Sequence, residues 1–322
     1  MDAAQVSQLI DDRLRAVRAQ VGPRLHAAFD ALMQRHGWLR GDDPEYYLGL
    51  NSQPVLVTPL WLAEPRSLSD AALADVLAGS WLGYAAVRVQ DDWMDEDLGE
   101  PAEAMMLAQA FLAAHTAALA RVVGDHAGFW ALFEEVWAGY GDAMLLEATL
   151  LGRDAVYGPA EEAAVLQRSR PLVLPSAALL AATGDWAQLP DLEELVARSV
   201  RAAQTFNDAM DAREDLRGGR FTPAVRRFGG LDGEGALMRQ LIVDGGLDTL
   251  FGESRDDLNA ACGAALRLGA TGARSWFDAR IGMMQQALTA ALTQFFAHLL
   301  GGTQQNTSDE SAGADPSRGD TP

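Results

Sequence analysis

The sequence predicts an all-α protein built as a single domain. Three observations carry that expectation. Apolar residues recur at three- and four-residue steps over long windows, glycines and prolines punctuate those windows, and no segment alternates apolar and polar residues as a strand would. Of the 322 residues, 49% are hydrophobic, which is ample for one large core. No internal repeat and no linker rich in Pro, Gly or Ser precedes residue 300. Residues 1–300 therefore read as one helical domain. Residues 301–322 lack large apolar side chains and read as a disordered C-terminal tail.

The elements follow from local signals. Residues 3–36 place Leu9, Ile10, Leu14, Val17, Val21, Leu25, Phe29 and Leu32 on one stripe, an amphipathic helical pattern. Residues 38–53 contain Gly, Asp-Asp-Pro and Asn-Ser, the composition of a loop. Pro54 to Ala63 reads as a short apolar helix. Ser69 suits the N-cap of a long helix reaching about Asp97, before Gly99 and Pro101. Helices over about 101–122 and 127–151 follow. Pro159 opens another, interrupted by Pro171 and Pro175, and a helix from 175 ends at Gly184. Pro190 starts a long helix that reaches Leu216 and stops at Gly218-Gly219. Helices over about 233–243 and 255–299 complete the chain.

Charge and composition exclude several function classes. The net charge of −20 argues against nucleic-acid binding by counterion release and against anionic membrane surfaces. An anionic ligand would need metal ions to invert the local charge. All 25 basic residues are arginine, so there is no lysine for a Schiff base or a Walker-type phosphate site. Cys262 is the single cysteine, which leaves no intrachain disulfide or cysteine–zinc cluster and reads as a small buried hydrophobe. The five histidines show no metal-ligand spacing, and no nucleophile elbow or dinucleotide fingerprint appears. Residues 2–20 lack the apolar run of a signal peptide. No uninterrupted apolar stretch approaches the roughly 20 residues of a membrane span. The expected location is cytoplasmic, without stable membrane insertion.

Two acid clusters carry the functional signal. The first is Asp91-Asp92-Trp93-Met94-Asp95-Glu96-Asp97, and the second runs from Asn207 through Asp208 and Asp211 to Asp215. Each lies at the polar end of an apolar, alanine-rich run. On a helix, Asp91 and Asp95 share a face, and Asn207, Asp211 and Asp215 form one stripe at i, i+4 and i+8. Like charges so close repel unless a cation lies between them, and Mg²⁺ takes one or two carboxylates together with phosphate oxygens. Leu216-Arg217-Gly218-Gly219-Arg220 follows, a glycine turn whose arginines can fold back toward the acids and hold phosphate. Two such clusters facing each other across an apolar space would bind a diphosphate through Mg²⁺ while its hydrocarbon tail is buried.

On these motifs the chain resembles the class I isoprenoid synthase superfamily over roughly residues 50–300. Asp91, Asp92 and Asp95 match its aspartate-rich DDxxD motif. Asn207, Asp211 and Asp215 occupy the places of the second metal motif of terpene cyclases. With Asp208 included, the stretch is similar to the second aspartate motif of trans-prenyltransferases. The spacing followed by Gly219-Arg220 resembles squalene- and phytoene-synthase-like enzymes. The resemblance implies an antiparallel helical bundle with a central apolar cavity. It also implies three Mg²⁺ ions held by Asp91, Asp92, Asp95, Asn207, Asp208, Asp211 and Asp215, and a prenyl diphosphate substrate. By analogy with cyclases, Arg170, close to the Pro171/Pro175 break beside Arg168, is the diphosphate-sensing arginine. Arg220 and Arg217 would neutralise the leaving diphosphate. Arg274, which with Arg280 flanks Trp276-Phe277, would close over it, and Arg201 is a further candidate. A homodimer is compatible with the pattern.

Departures narrow the expectation. The chain has no Gly-Gly-Lys-Arg segment near its N-terminus. After Asp97 it has no basic residue until Arg121, which argues against chain elongation with a homoallylic diphosphate. Aromatic candidates for the cavity wall are Trp61, Trp81, Tyr84, Trp93, Trp130, Trp137, Tyr140 and Phe206. Tyr84, two turns before Asp91, and Val87, one turn before it, suit the same face. The leading expectation is a Mg²⁺-dependent terpene synthase-like lyase of isoprenoid biosynthesis that ionises an allylic diphosphate and cyclises or rearranges the cation. The alternative is a prenyltransferase that joins two prenyl diphosphates head to head or prenylates another acceptor. A non-catalytic prenyl-binding protein is the third reading.

Overall fold

A computed structural model of the chain describes residues 2–39, 47–48, 54–94 and 101–309, and among these no strand occurs. Helix α1 (Ala3–Gln20) begins at a capping box, with Asp2 Oδ1 accepting from the Gln5 amide and Gln5 Oε1 from the Asp2 amide. Helix α2 (His26–His36) continues the same apolar stripe after a break. The sequence stripe reads as one helix over 3–36. The interruption falls at Gly22-Pro23, where the proline pushes its predecessor into an extended conformation. Helix α3 (Pro54–Ala63) leads to α4 (Asp70–Met94), whose N-cap is Ser69: its Oγ accepts from the Ala72 amide at 3.2 Å. Residues 95–100, and with them Asp95, lie outside the described residues.

Helices α5 (Pro101–Val123) and α6 (Ala127–Leu150) turn about Gly124 in the left-handed region. Helix α7 (Pro159–Val165) passes into a 3₁₀ segment, Leu166–Val173, and then into α8 (Leu174–Thr183). The change of pitch falls where Pro171 removes a helical N–H. Helix α9 (Leu189–Arg217) is followed by α10 (Pro223–Arg227) and α11 (Glu234–Met238), which continues as a π turn over Arg239–Val243. Where the sequence reads as one helix over 255–299 there are two, α12 (Gly246–Arg267) and α13 (Ala273–Asp309). They part at Gly269, whose positive φ lets the Ala270 amide reach back to the Ala265 carbonyl at 3.0 Å. Helix α13 runs on into the segment whose composition predicts disorder.

Two long pairs organise the bundle. Helix α4 lies along α5, and α9 lies along α12. The second pair is antiparallel: Arg201 meets Asp257 while Arg267 meets Asp191. Helix α8 is buried on nearly every side (Leu174, Ala177, Ala178, Leu179 and Leu180 have no exposure) and fills the centre between the pairs. Helix α5 is long and apolar enough over Ala102–Val123 to cross a membrane, yet it sets Leu107, Phe111 and Leu119 into the core. One end of the bundle is tied by Arg66, which is 6% exposed. Its guanidinium binds Asp185 at 2.7 Å, Gln188 at 2.5 Å and the carbonyls of Leu62 and Leu268 at 2.9 and 3.1 Å. The C-terminal turns of α4, α6 and α9 are at the other end.

Close approach of α4 and α5 depends on small residues. A Cβ at Gly83 would lie 2.7 Å from the His115 ring, and one at Gly79 would lie 2.6 Å from Leu119. Gly139, on α6, has no neighbour within 4 Å of such a Cβ. Gly83→Ala is therefore expected to lower the unfolding free energy by about 1–3 kcal/mol through overpacking. Gly139→Ala is expected to raise it by about 0.5–1 kcal/mol through helix propensity. Urea unfolding of the two variants should move in opposite directions, and shifts of one sign would contradict this packing.

Candidate functional site

The two aspartates at the end of α4 face different ways because successive helical residues are rotated by about 100°. Asp92 turns toward α2 and is 1% exposed. Its Oδ2 accepts from His36 Nε2 at 2.7 Å, with Arg35 at 4.0 Å. Its Oδ1 lies 2.8 Å from Arg88 Nη2 but out of line for a hydrogen bond. His36 stacks on Trp38, which packs edge-on against Trp81 and tilted against Tyr84. Burial lowers the His36 pKa, with Asp92 opposing the shift and Arg88 and Arg35 adding to it. Asp92, expected as a metal ligand beside Asp91, instead ties α2 to α4. The pairing of His36 with it is long-range and carries no local sequence signal.

Asp91 remains half-exposed and accepts a hydrogen bond from Arg88 Nη1 at 3.1 Å. Its charge reaches Tyr140 on α6 and Arg168 in the 3₁₀ segment. Arg168 forms an ion pair with Glu147 of α6, and it also feels the charge of Asp208 on α9. One half-buried guanidinium therefore stands among carboxylates from α4, α6 and α9. Asp208 is strongly perturbed. Burial, and then Asp215, push its carboxyl up to about 7, with Glu147 and Asp211 adding to the rise and Arg168 opposing it. Tyr157 is pushed up to about 12, by burial first and then by Glu147, Glu162 and Asp208.

The second cluster splits as the first does. Asp215 is buried and bound by Arg220, whose Nη2 lies 2.8 Å from Oδ1. Gly218 ends α9 and Gly219, at φ 74°, turns the chain so that the Arg220 amide also bonds the Asp215 carbonyl at 2.8 Å. Asp211 is exposed, and its carboxyl is raised by desolvation first and then by Asp215 and Glu214. Asn207 is exposed. Asp208 lines a cleft of about 390 Å³ with Tyr157, Glu162, Thr205 and Arg227.

Four candidate arginines are bound or placed elsewhere. Arg170 binds Glu135 and Glu193, both at 2.7 Å, on a separate groove between the 3₁₀ segment and α9. Arg168, two residues earlier, is the arginine that meets the charges of Asp91 and Asp208. Arg217 is exposed and bound to Glu234 at 2.8 Å. Arg274 lies by Cys262, in the stretch of α12 between Asp257, which meets Arg198 and Arg201, and Arg267, which meets Asp191. That places it some ten residues of α9, about 15 Å, from Asp208. Arg201 is held by Asp257 at 2.6 Å. Tyr84 is half-buried on the α4 face below Asp91, as expected. Glu147 and Tyr157 are the residues that the sequence reading missed. Glu147 falls seven residues after Tyr140 on the α6 stripe, so the period of that stripe could have found it.

No group of three or more His, Cys, Asp or Glu side chains is gathered closely enough to hold an ion among the described residues. The donor chemistry nonetheless fits a hard cation. Asp208 and Asp211 are oxygen donors whose raised carboxyls are only partly offset by Arg168 and Arg220, and Mg²⁺ needs only one or two carboxylates when polyphosphate oxygens and water complete its shell. Comparison with protein-family models and with curated proteins finds no match.

Two predictions follow from this electrostatics. Folded Asp208 keeps its proton up to about pH 7, whereas the unfolded chain loses it near pH 4. The folded state binds the extra proton in that window, so this residue makes stability fall as pH rises through it and level off above. Asp208→Asn should remove the fall, and its advantage over wild type in urea unfolding should widen by about 2–3 kcal/mol from pH 5 to pH 8. Arg168→Ala strips the partner from Glu147 and the balance from Asp91 and Asp208. It should cost about 2–4 kcal/mol at pH 8 and less at pH 5; an equal cost at both would contradict the shared role.

Proposed function

We propose that the protein is a Mg²⁺-dependent class I terpene synthase-like enzyme that ionises an allylic prenyl diphosphate and guides the cation to a cyclised or rearranged product. The observation that carries the reading is the convergence of Asp91 from α4, Glu147 from α6 and Asp208 from α9 on one half-buried arginine, Arg168. Asp91, Asp208 and Asp211 would hold the metal. Bound Mg²⁺ neutralises the diphosphate and makes it a better leaving group. Arg168, rather than Arg170, reads the diphosphate from within the bundle, and Arg220 covers it from the exposed turn after α9. Below the acids, Tyr84 on α4 and Phe133, Trp137 and Tyr140 on α6 form an aromatic wall that excludes water and presents ring faces to a cation.

Incubation with geranyl, farnesyl, geranylgeranyl and geranylfarnesyl diphosphates tests the reading. At least one should release diphosphate only when Mg²⁺ is present. Asp91→Ala and Asp208→Asn should each reduce release by about 100-fold or more while circular dichroism stays helical. Wild-type rates in either variant, or no release from any substrate, would sink the proposal. A product with more carbons than its substrate would transfer the reading to a prenyltransferase, the activity that Gly219-Arg220 favours.

A further inference from the structure

We infer that His115, Trp137 and Tyr140 hold a water molecule deep in the bundle that captures the prenyl cation, so that the product is an alcohol. This inference rests on the function proposed above. His115, on α5, has no exposed surface. Its Nδ1 lies 2.7 Å from the Gly79 carbonyl, which can only accept, so Nδ1 carries the proton and Nε2 is a bare acceptor. That Nε2 has no protein partner, nor have Trp137 Nε1 and the Tyr140 hydroxyl, and all three atoms are buried. The rings are neighbours: His115 and Trp137 centroids are 6.1 Å apart, and Trp137 and Tyr140 are 5.4 Å apart.

Leaving three such groups unpaired in a core costs several kcal/mol in all, and leucine or phenylalanine would fill the same space without that cost. Their chemistry matches one ligand. Two donors and one acceptor suit a water that accepts from Trp137 and Tyr140 and donates to His115. Direct deprotonation of the cation by His115 would leave the other two groups unanswered.

The position suits the chemistry. Gly79 and Gly83, which the His115 ring covers, lie twelve and eight residues before Asp91 on α4, about 18 and 12 Å below it. Tyr140 is at the level where the Asp91 charge is still felt. The three side chains thus descend into the interior from the acid end, to which the proposed function assigns the diphosphate. In the capture step the water oxygen forms a C–O bond to the cationic carbon, an O–H bond breaks, and the proton passes to His115 Nε2. Burial pushes the His115 pKa to about 4, so the imidazolium yields that proton readily once the site reopens.

The experiment is turnover of the accepted prenyl diphosphate with Mg²⁺ in H₂¹⁸O, with products and diphosphate both quantified. Wild type should give an alcohol that carries the label. In His115→Leu and His115→Asn, alcohol formed per diphosphate released should fall about tenfold or more, replaced by hydrocarbon. Trp137→Phe, which keeps the ring but removes one donor, should lower the same ratio and serves if the histidine variants do not fold. A wild-type product that is purely hydrocarbon, or an alcohol ratio unchanged in every folded variant, overturns the water station while leaving the lyase reading intact. Failure of wild type to release diphosphate overturns both.

Discussion

One guanidinium among carboxylates from three helices governs the acid end of this bundle. Arg168 is paired to Glu147 and compensates Asp91 and Asp208 in part, so the relative positions of α4, α6 and α9 are tied to a single charge. The far end is tied by another arginine in a different manner. Arg66 is nearly buried and spends its donors on two carbonyls, an amide oxygen and one carboxylate, a neutralised and fully bonded set. Arg168 is outnumbered. The excess negative charge around it appears as the elevated carboxyl of Asp208. The molecule therefore has one end where charge is balanced and one where negative charge is in excess.

The pair of adjacent aspartates shows how one helix serves both ends of that logic. Rotation by one residue sends Asp92 into the α2 contact, where His36 and the stacked Trp38 hold it. Asp91, one position earlier, keeps an open face toward Tyr140 and Arg168. The second cluster divides in the same way: Asp215 is bound by Arg220 and fixes the glycine turn, while Asp208 and Asp211 remain under-compensated. In each cluster one carboxylate builds the frame and its neighbours face the site. A sequence motif counts these residues alike, but their burial does not.

Helix identity was legible because capping and breaking residues are local. Ser69, Gly184 and Gly218 end or begin helices as their chemistry requires. The breaks at Gly22-Pro23 and Gly269 were harder to read because the apolar stripe continues across both. The order of the acid clusters was legible, but the choice between Arg168 and Arg170 was not. Two residues apart on a tight helix they project to different sides, and only the packing of α6 and α9 decides which side faces the acids. Glu147 escaped notice because a lone acid late in an apolar helix reads as a solvated face. The break before α13 sets Arg274 beside Cys262 rather than beside Asp208, a placement that no local sequence signal gives.

A protein of net charge −20 that gathers carboxylates at one end of its bundle accumulates repulsion there. Desolvation and neighbouring acids raise Asp208 until a proton, the smallest available cation, is half-bound near neutrality. A divalent ion at the same oxygens would relieve the same repulsion more fully, because it brings two charges and accepts further oxygen ligands. Under the proposed function, proton and metal would compete for one site, and a diphosphate would add further oxygen ligands. A cage complete in itself would bind the ion without needing the anion, whereas an incomplete one makes ion and anion bind together. On that reading, the acidity that would repel a bare diphosphate would select a metal-bound one.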